Sequence, residues 1–253
     1  MTGDRVILCG GMRYRGKTKT KPILLNLWGN EQNVKLKISD ITKRMADNMP
    51  RLFADLIEIA TYIYCADQAV PRRNSVGNVG AKWRRPFRFF IPVRNPDFWS
   101  SKEVCSELQQ TLGFLSDDTY VFEFAKLTGG DPVTEYLEFG QEGDKGFNAN
   151  EVVLFSGGLD SLAGAIQEAV TGKLSVALIS HRSSPKVDPK QRNLVQELSR
   201  HCSGGELFHV PVWVQKMDKS LWEGAHTKNT VVPLRIHCGY SSPNVWAVEN
   251  SVL

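Results

Sequence analysis

No two cysteines of this chain are spaced to act together. Cys9, Cys65, Cys105, Cys202 and Cys238 are scattered without a C-x-x-C pair, which removes a disulfide framework and a zinc site encoded by spacing. A reducing cytoplasm is the compartment that such usage predicts. Long apolar runs are missing as well, since nothing approaches the ~20 residues of a membrane span, and a soluble protein with no membrane partner is expected. The opening Met1-Thr2-Gly3-Asp4-Arg5 carries an acid and lacks the apolar region and small-residue cleavage site of a secretory signal. Charge of one sign is scarce: a net +4 over 253 residues neither demands nor forbids nucleic acid. What is present is 42% hydrophobic content, enough for two modest cores.

The most informative stretch is Glu151-Val152-Val153-Leu154-Phe155-Ser156-Gly157-Gly158-Leu159-Asp160-Ser161. Its apolar, β-branched start predicts a buried strand over 151–155. Leu162, Ala163, Ile166, Ala169 and Val170 then recur at helical spacing until Gly172. Glycines at such a corner permit positive φ and let a ligand approach without meeting a Cβ. The N–H groups and dipole of the following helix favour an anion above the turn, and phosphate suits it best. The Lys-Ser/Thr ending of a Walker A loop is absent, which excludes an ordinary P-loop NTPase. The bland alternative is a Gly-Gly turn capped by serine.

Ahead of this stretch, Met12–Lys21 is a basic segment read as a loop. Pro22–Trp28 and Val34–Ile38 are expected to pair as strands around Gly29-Asn30. A helical pattern from Asp40, interrupted at Pro50, places Leu52, Leu56, Ile59, Ile63 and others on a core face. Lys82-Trp83-Arg84-Arg85-Pro86-Phe87-Arg88-Phe89-Phe90-Ile91 interleaves arginine with aromatics. It fits either a platform for single-stranded nucleic acid or a half-buried strand with Phe87, Phe89 and Ile91 inward, and the strand is preferred. A helix over Ser101–Leu115, with Val104, Leu108, Leu112 and Leu115 on one face, and a strand over Tyr120–Leu127 follow. Gly140–Gly146 has linker composition. The expected division is therefore an α+β domain over 1–146 and a nucleotide-binding domain over 147–253.

Beyond the loop, a strand at Leu174–Ile179, a helix at Pro189–Arg200 and a strand at Phe208–Val214 predict an α/β domain with a parallel sheet. Ligands in such sheets bind beyond the carboxyl ends of the strands, where Ser156 falls, and so do Ser180, His181 and Arg182. Arg182 suits a phosphate and His181 an adenine pocket; ordinary structural hydrogen bonding by this His-Arg pair is equally open.

Ser156, Gly157, Gly158, Asp160 and Ser161 match every fixed position of SGGxDS, and the loop thereby resembles the pyrophosphate loop of the PP-loop ATP pyrophosphatases, whose domain is of the adenine nucleotide alpha hydrolase type. Those enzymes cleave ATP between its α and β phosphates and leave AMP on a substrate oxygen. The resemblance implies that Ser156, Gly157, Gly158, Leu159 and Ser161 cradle pyrophosphate, that Ser180, His181 and Arg182 contact the nucleotide, and that Asp160 holds Mg²⁺. Asp160 and Ser161 would be catalytic. With Ile41–Met45, Ala66-Asp67-Gln68-Ala69-Val70, Trp83–Phe87, Ile91-Pro92-Val93-Arg94, Leu115-Ser116-Asp117-Asp118 and Ser180–Lys186, the chain from about 35 to 226 is similar to the 7-cyano-7-deazaguanine synthase-like proteins of bacterial anti-phage defence, the QatC-like group. That implies ATP-dependent adenylation of a deazaguanine carboxylate or amide, as in queuosine biosynthesis, with a protein acceptor or other defence subunits as further partners. The four-cysteine zinc site of the housekeeping synthases is missing. Two alternatives stand: a PP-loop tRNA-modifying enzyme, for which paired cysteines would be expected, and an inactive remnant that binds nucleotide and docks a partner through 35–140.

Thr230–Leu253 has no sustained period and departs from the family pattern, which dissolves after His226-Thr227. Codons allowed for Lys228–Leu234, shifted by one base, can read Arg-Thr-Arg-Ser-Phe-Leu, the type of segment with which the family continues. The expectation is a frameshift near 226–229, leaving 228–253 out of frame and the catalytic domain incomplete.

Overall fold

Short β-branched runs form the strands of this protein, and the amphipathic stretches between them form its helices. The computed structural model describes residues 5–18, 20–41, 49–70, 84–129, 137–139, 148–182 and 186–216, with side chains at all of these except 39–41, 137–139 and 216. In chain order the elements are β1 (Arg5–Cys9), β2 (Ile23–Leu25), β3 (Val34–Ile41), α1 (Arg51–Ala69), β4 (Pro86–Val93), α2 (Pro96–Trp99), α3 (Lys102–Ser116), β5 (Thr119–Lys126), β6 (Leu137–Phe139), β7 (Glu151–Leu154), α4 (Leu159–Ala165), β8 (Val176–His181), α5 (Val187–His201) and β9 (Leu207–Lys216). A π-helical stretch, Ile166–Thr171, continues α4 without a break.

Two sheets result, and the architecture is α/β. The first has the order β2-β1-β4-β5 and is parallel throughout; the second runs β6-β3-β9-β8-β7. Within the second, β7, β8 and β9 are parallel while β3 lies antiparallel to β9. The parallel pairing expected for β7, β8 and β9 holds, in a sheet that β3 makes mixed, whereas the N-terminal half holds an all-parallel sheet in place of the expected α+β character. Because β3 comes from the N-terminal half, that second sheet crosses the expected boundary at 146.

The hairpin expected between β2 and β3 does not form. Gly29 does turn the chain at φ +81°, but the two strands enter different sheets. Asparagine side chains hold the crossing: Asn33 Oδ1 accepts from the Asn26 N–H at 2.8 Å, and Asn33 Nδ2 donates to the Leu24 carbonyl at 2.9 Å. Local side-chain bonds of this kind compete with a strand ladder.

Of the helix read from Asp40 with an interruption at Pro50, Asp40 and Ile41 belong instead to β3, 42–48 lie outside the described residues, and the part after Pro50 is α1. It is buried on more than its apolar face. Ile57, Ile59 and Ile63 share one core with Ile7, Leu25, Phe87 and Phe89 of the first sheet and with Leu36, Ile38, Val210 and Val212 of the second. Thus α1 lies between the two sheets, and polar groups on it must find partners inside. Asp55 and Glu58, 0% and 1% exposed, do so through Arg94, whose Nη1 donates to Asp55 at 2.9 Å and whose Nη2 donates to Glu58 at 2.8 Å. Asp55 also accepts the backbone N–H of Arg94 and the indole N–H of Trp99, which fixes the end of β4 and the start of α2.

Arg85 makes the second buried knot, donating to Asp118 at 2.6 Å, to the Val70 carbonyl at 2.6 Å and to Asp67. Burial opposes its charge, but Asp118 and Asp67 outweigh that and raise its pKa above the ordinary value. The nucleic-acid platform reading fails for this reason. Phe87, Phe89 and Ile91 are inward as the strand reading requires, yet Phe90 and Val93 are buried too, at 6% and 1% exposure, with Met12 and Tyr14 packed over the outer face at Phe90. Strand β4 is buried on both sides.

Ser101 caps α3 by accepting the Val104 N–H, and Asp117 ends it in the left-handed region at φ 58°. Val104, Leu108 and Leu112 pack inward as expected, but Leu115 is 49% exposed. The strand 151–155, expected to be buried, is an edge: Val153 and Phe155 face α4 and α5, while Val152 and Leu154 are 42% and 37% exposed on the other face. No helix among the described residues is long and apolar enough to cross a membrane. The linker at 140–146 and the stretch 228–253 read as out of frame lie outside the described residues.

Candidate functional site

Two adjacent parallel strands bring the site together. The Phe155 N–H donates to the Ile179 carbonyl at 2.7 Å, so the chain leaves β7 and β8 side by side, with Ser156–Ser161 above one and Ser180–Arg182 above the other. All the residues singled out in the sequence therefore sit at the carboxyl ends of neighbouring strands.

The loop needs glycine at one position. Gly157 has φ +79° and is buried, whereas Gly158 has φ −82° and serves as the extended N-cap of α4. A Cβ at Gly157 would come within 3.2 Å of Gln191 Cγ, so strain and crowding coincide there. Three hydrogen bonds tie the loop: Gly158 N–H to Ser156 Oγ at 3.2 Å, Ser161 Oγ to the Gly158 carbonyl at 3.1 Å, and a 3.1 Å contact between the two hydroxyls. Since the Ser161 proton goes to the carbonyl, Ser156 donates to Ser161. Asp160 and Leu159 stand in the first turn of α4, both exposed, with Leu159 at 81%. A carboxylate there is free to meet a cation carried by a phosphate.

Gln191 of α5 pins this loop from below. Its Nε2 donates to the Ser156 carbonyl at 3.1 Å and lies 3.4 Å from the His181 carbonyl, while its Oε1 has no hydrogen-bond partner although the residue is 1% exposed. Arg182 Nε lies 2.6 Å from Asp188 Oδ1, and its buried Nη2 has no hydrogen-bond partner among the described residues. Unsatisfied buried donors and acceptors are costly; one belongs to the residue that follows β8 and the other to the glutamine bonded to the Ser156 carbonyl. An anion above the turn would meet the N–H groups at the start of α4, and the Ser156 and Ser161 hydroxyls would donate to it only by turning from each other and from the Gly158 carbonyl. Among the described residues no three His, Cys, Asp or Glu side chains group to hold a metal.

Ser180 is placed differently from the loop serines. It is 0% exposed, its Oγ donates to the Phe155 carbonyl at 2.8 Å and accepts from His209 Nε2 at 2.9 Å. Its hydroxyl supports the loop from beneath. His181, one residue on, points to the opposite face of the sheet by strand alternation, where its ring meets Tyr64 of α1 edge-on at 5.1 Å. Burial lowers its pKa from the ordinary 6.5. The unfolded chain then takes up the proton first as pH falls, so stability from this ring is complete above 6.5 and is lost as pH drops through that value toward the lower folded one. Urea midpoints at pH 7.5 and 5.5 should fall less in His181→Gln than in the parent; equal falls would assign the loss to other groups.

Sequence reading missed Gln191, Asp188, His209 and Tyr64. Only Gln191 left a signal, as a polar residue at an inward position of the stripe that continues through Leu194 and Leu198. Cysteines play no evident part, since burial raises the thiol pKa values of Cys9, Cys105 and Cys202. No protein-family model, curated protein or solved structure matches this chain.

Proposed function

We propose that this chain binds ATP at the Ser156–Ser161 loop and cleaves it between the α and β phosphates, transferring AMP to an acceptor. The observation that carries the reading is the loop itself: an SGGxDS turn at the carboxyl end of a parallel strand, with Gly157 at positive φ, two serine hydroxyls in contact and α4 opening directly from it. An acceptor oxygen attacks the α phosphorus, the bond to the bridging oxygen breaks, and pyrophosphate leaves with that oxygen and its electron pair. Ser156, Ser161, the N–H groups opening α4 and Arg182 hold the leaving group, so charge that grows on it meets donors already in place. Bound Mg²⁺, held by Asp160 and phosphate oxygens, would neutralise part of that charge. Neither a thiol nor an imidazole nucleophile is needed. The sequence resemblance supports a deazaguanine-type acceptor, adenylated on a carboxylate or amide, and a setting in bacterial anti-phage defence.

Asp160→Asn is expected to lower pyrophosphate release at least ~100-fold, about 2.7 kcal/mol of transition-state stabilisation. Its melting temperature should stay close to the parent's, because exposed positions usually contribute within about 0.5 kcal/mol. Unchanged release with 7-carboxy-7-deazaguanine as acceptor would remove Asp160 from the reaction.

A further inference from the structure

The Ser156–Ser161 loop lies on the C-terminal half, yet His181, at the end of the neighbouring strand, meets a residue of the N-terminal half. Along α1 almost every residue is buried; among Thr61–Val70 only Tyr64, Gln68 and Ala69 are half-exposed, and the first two share one face at helical spacing. Tyr64 meets His181 edge-on at 5.1 Å and its hydroxyl bonds to the Gln68 side chain. By register, Val152 pairs with Ala177 and Leu154 with Ile179, and alternation puts these four on the same sheet face as His181. Val152 and Leu154 are 42% and 37% exposed there, so an uncovered apolar floor adjoins the Tyr64–His181 pair. Flat apolar surface, two rings, a phenol and an amide within one corner match the needs of a planar heteroaromatic ring, which stacks through its faces and hydrogen-bonds through its edge.

We propose that Tyr64 and Gln68 of α1, with His181 of β8, recognise a planar nitrogen heterocycle, so that the N-terminal half supplies a ring-binding subsite to the phosphate loop. The inference rests on the phosphate reading of that loop. Two ligands carry such a ring, the adenine of ATP and the acceptor. Neutral His181 offers one donor and one acceptor, and the Gln68 amide offers both kinds, which suits a ring edge that alternates them.

The test compares three probes by isothermal titration on the full chain: inorganic tripolyphosphate, ATP, and 7-carboxy-7-deazaguanine. Tyr64→Leu is expected to weaken at least one ring-bearing probe about 10-fold, in line with ~1–3 kcal/mol per stacked base, and to leave tripolyphosphate within two-fold. Loss confined to ATP assigns the subsite to adenine, and loss confined to the deazaguanine assigns it to the acceptor. Gln68→Ala removes a half-exposed amide and leaves the core alone; it should weaken the same probe several-fold, and it decides the matter if Tyr64→Leu does not fold. Ring-bearing probes bound equally by Gln68→Ala and every folded Tyr64 variant, with tripolyphosphate still bound, overturn the subsite alone. A parent that binds neither tripolyphosphate nor ATP overturns the phosphate reading beneath it.

Discussion

Replacing Arg85 with methionine should destabilise the protein by about 3–5 kcal/mol, the range seen when one member of a buried ion pair is removed. The guanidinium is 6% exposed and faces Asp118 at 0% and Asp67 at 8%, so the variant would take from two core carboxylates the cation they share. It would also strip the donor from the Asp67 and Val70 carbonyls at the end of α1, where helix carbonyls lack partners of their own. Both effects act at the corner where α1, β4 and the α3–β5 turn meet. Urea unfolding followed by circular dichroism measures the loss. Adding Asp67→Asn and Asp118→Asn should recover part of it, because most of the cost is uncompensated charge rather than missing contact. A single variant that unfolds with the parent's midpoint would show that the knot contributes specificity of packing and little stability.

Gly157→Val should abolish ATP-dependent thermal stabilisation. A β-branched residue at φ +79° costs about 1–3 kcal/mol in backbone strain, and its side chain must displace Gln191 and Leu194, which lie 3.2 and 3.8 Å from the position of the first added carbon. Crowding of that kind adds about 1–3 kcal/mol. The chain can relieve both only by reshaping the loop that presents the serine hydroxyls. Gly158→Ala is the control, since that position is extended and its added carbon would meet only Ser156 Oγ at 3.3 Å. It should keep more of the ATP response than Gly157→Val does. Equal responses in parent and Gly157→Val would show that nucleotide binds elsewhere.

The glycine loop shows how far local chemistry carries. Strand, turn and helix were legible in 151–172 because each follows from a pattern a few residues long, and the same holds for β8, α5, β9, α3 and β5. Which of the two glycines needs positive φ was not legible, since it depends on the direction in which the chain must leave β7 to lay α4 against the sheet. The arginine-rich strand shows the opposite case. Nothing local marks Arg85 and Arg94 as internal, because their partners are far along the chain: Asp67 and Asp118 for one, Asp55 and Glu58 for the other. Only packing α1 between two sheets encloses those carboxylates and makes the arginines internal.

Sequence by itself determined the α/β character of the C-terminal half, the places of most helices and strands, and the glycine turn at Ser156–Ser161, all properties of periodicity, propensity and glycine placement that need no distant contact. Tertiary structure alone decided that β2 and β3 part into different sheets, that β3 joins the second sheet antiparallel to β9, that β7 is an edge, and that Gln191 meets the loop while Asp188, His209 and Tyr64 meet Arg182, Ser180 and His181. The physical reason is that strand pairing and burial of charge are satisfied between segments remote in sequence, where many partners are chemically equivalent and only the simultaneous packing of all of them selects one.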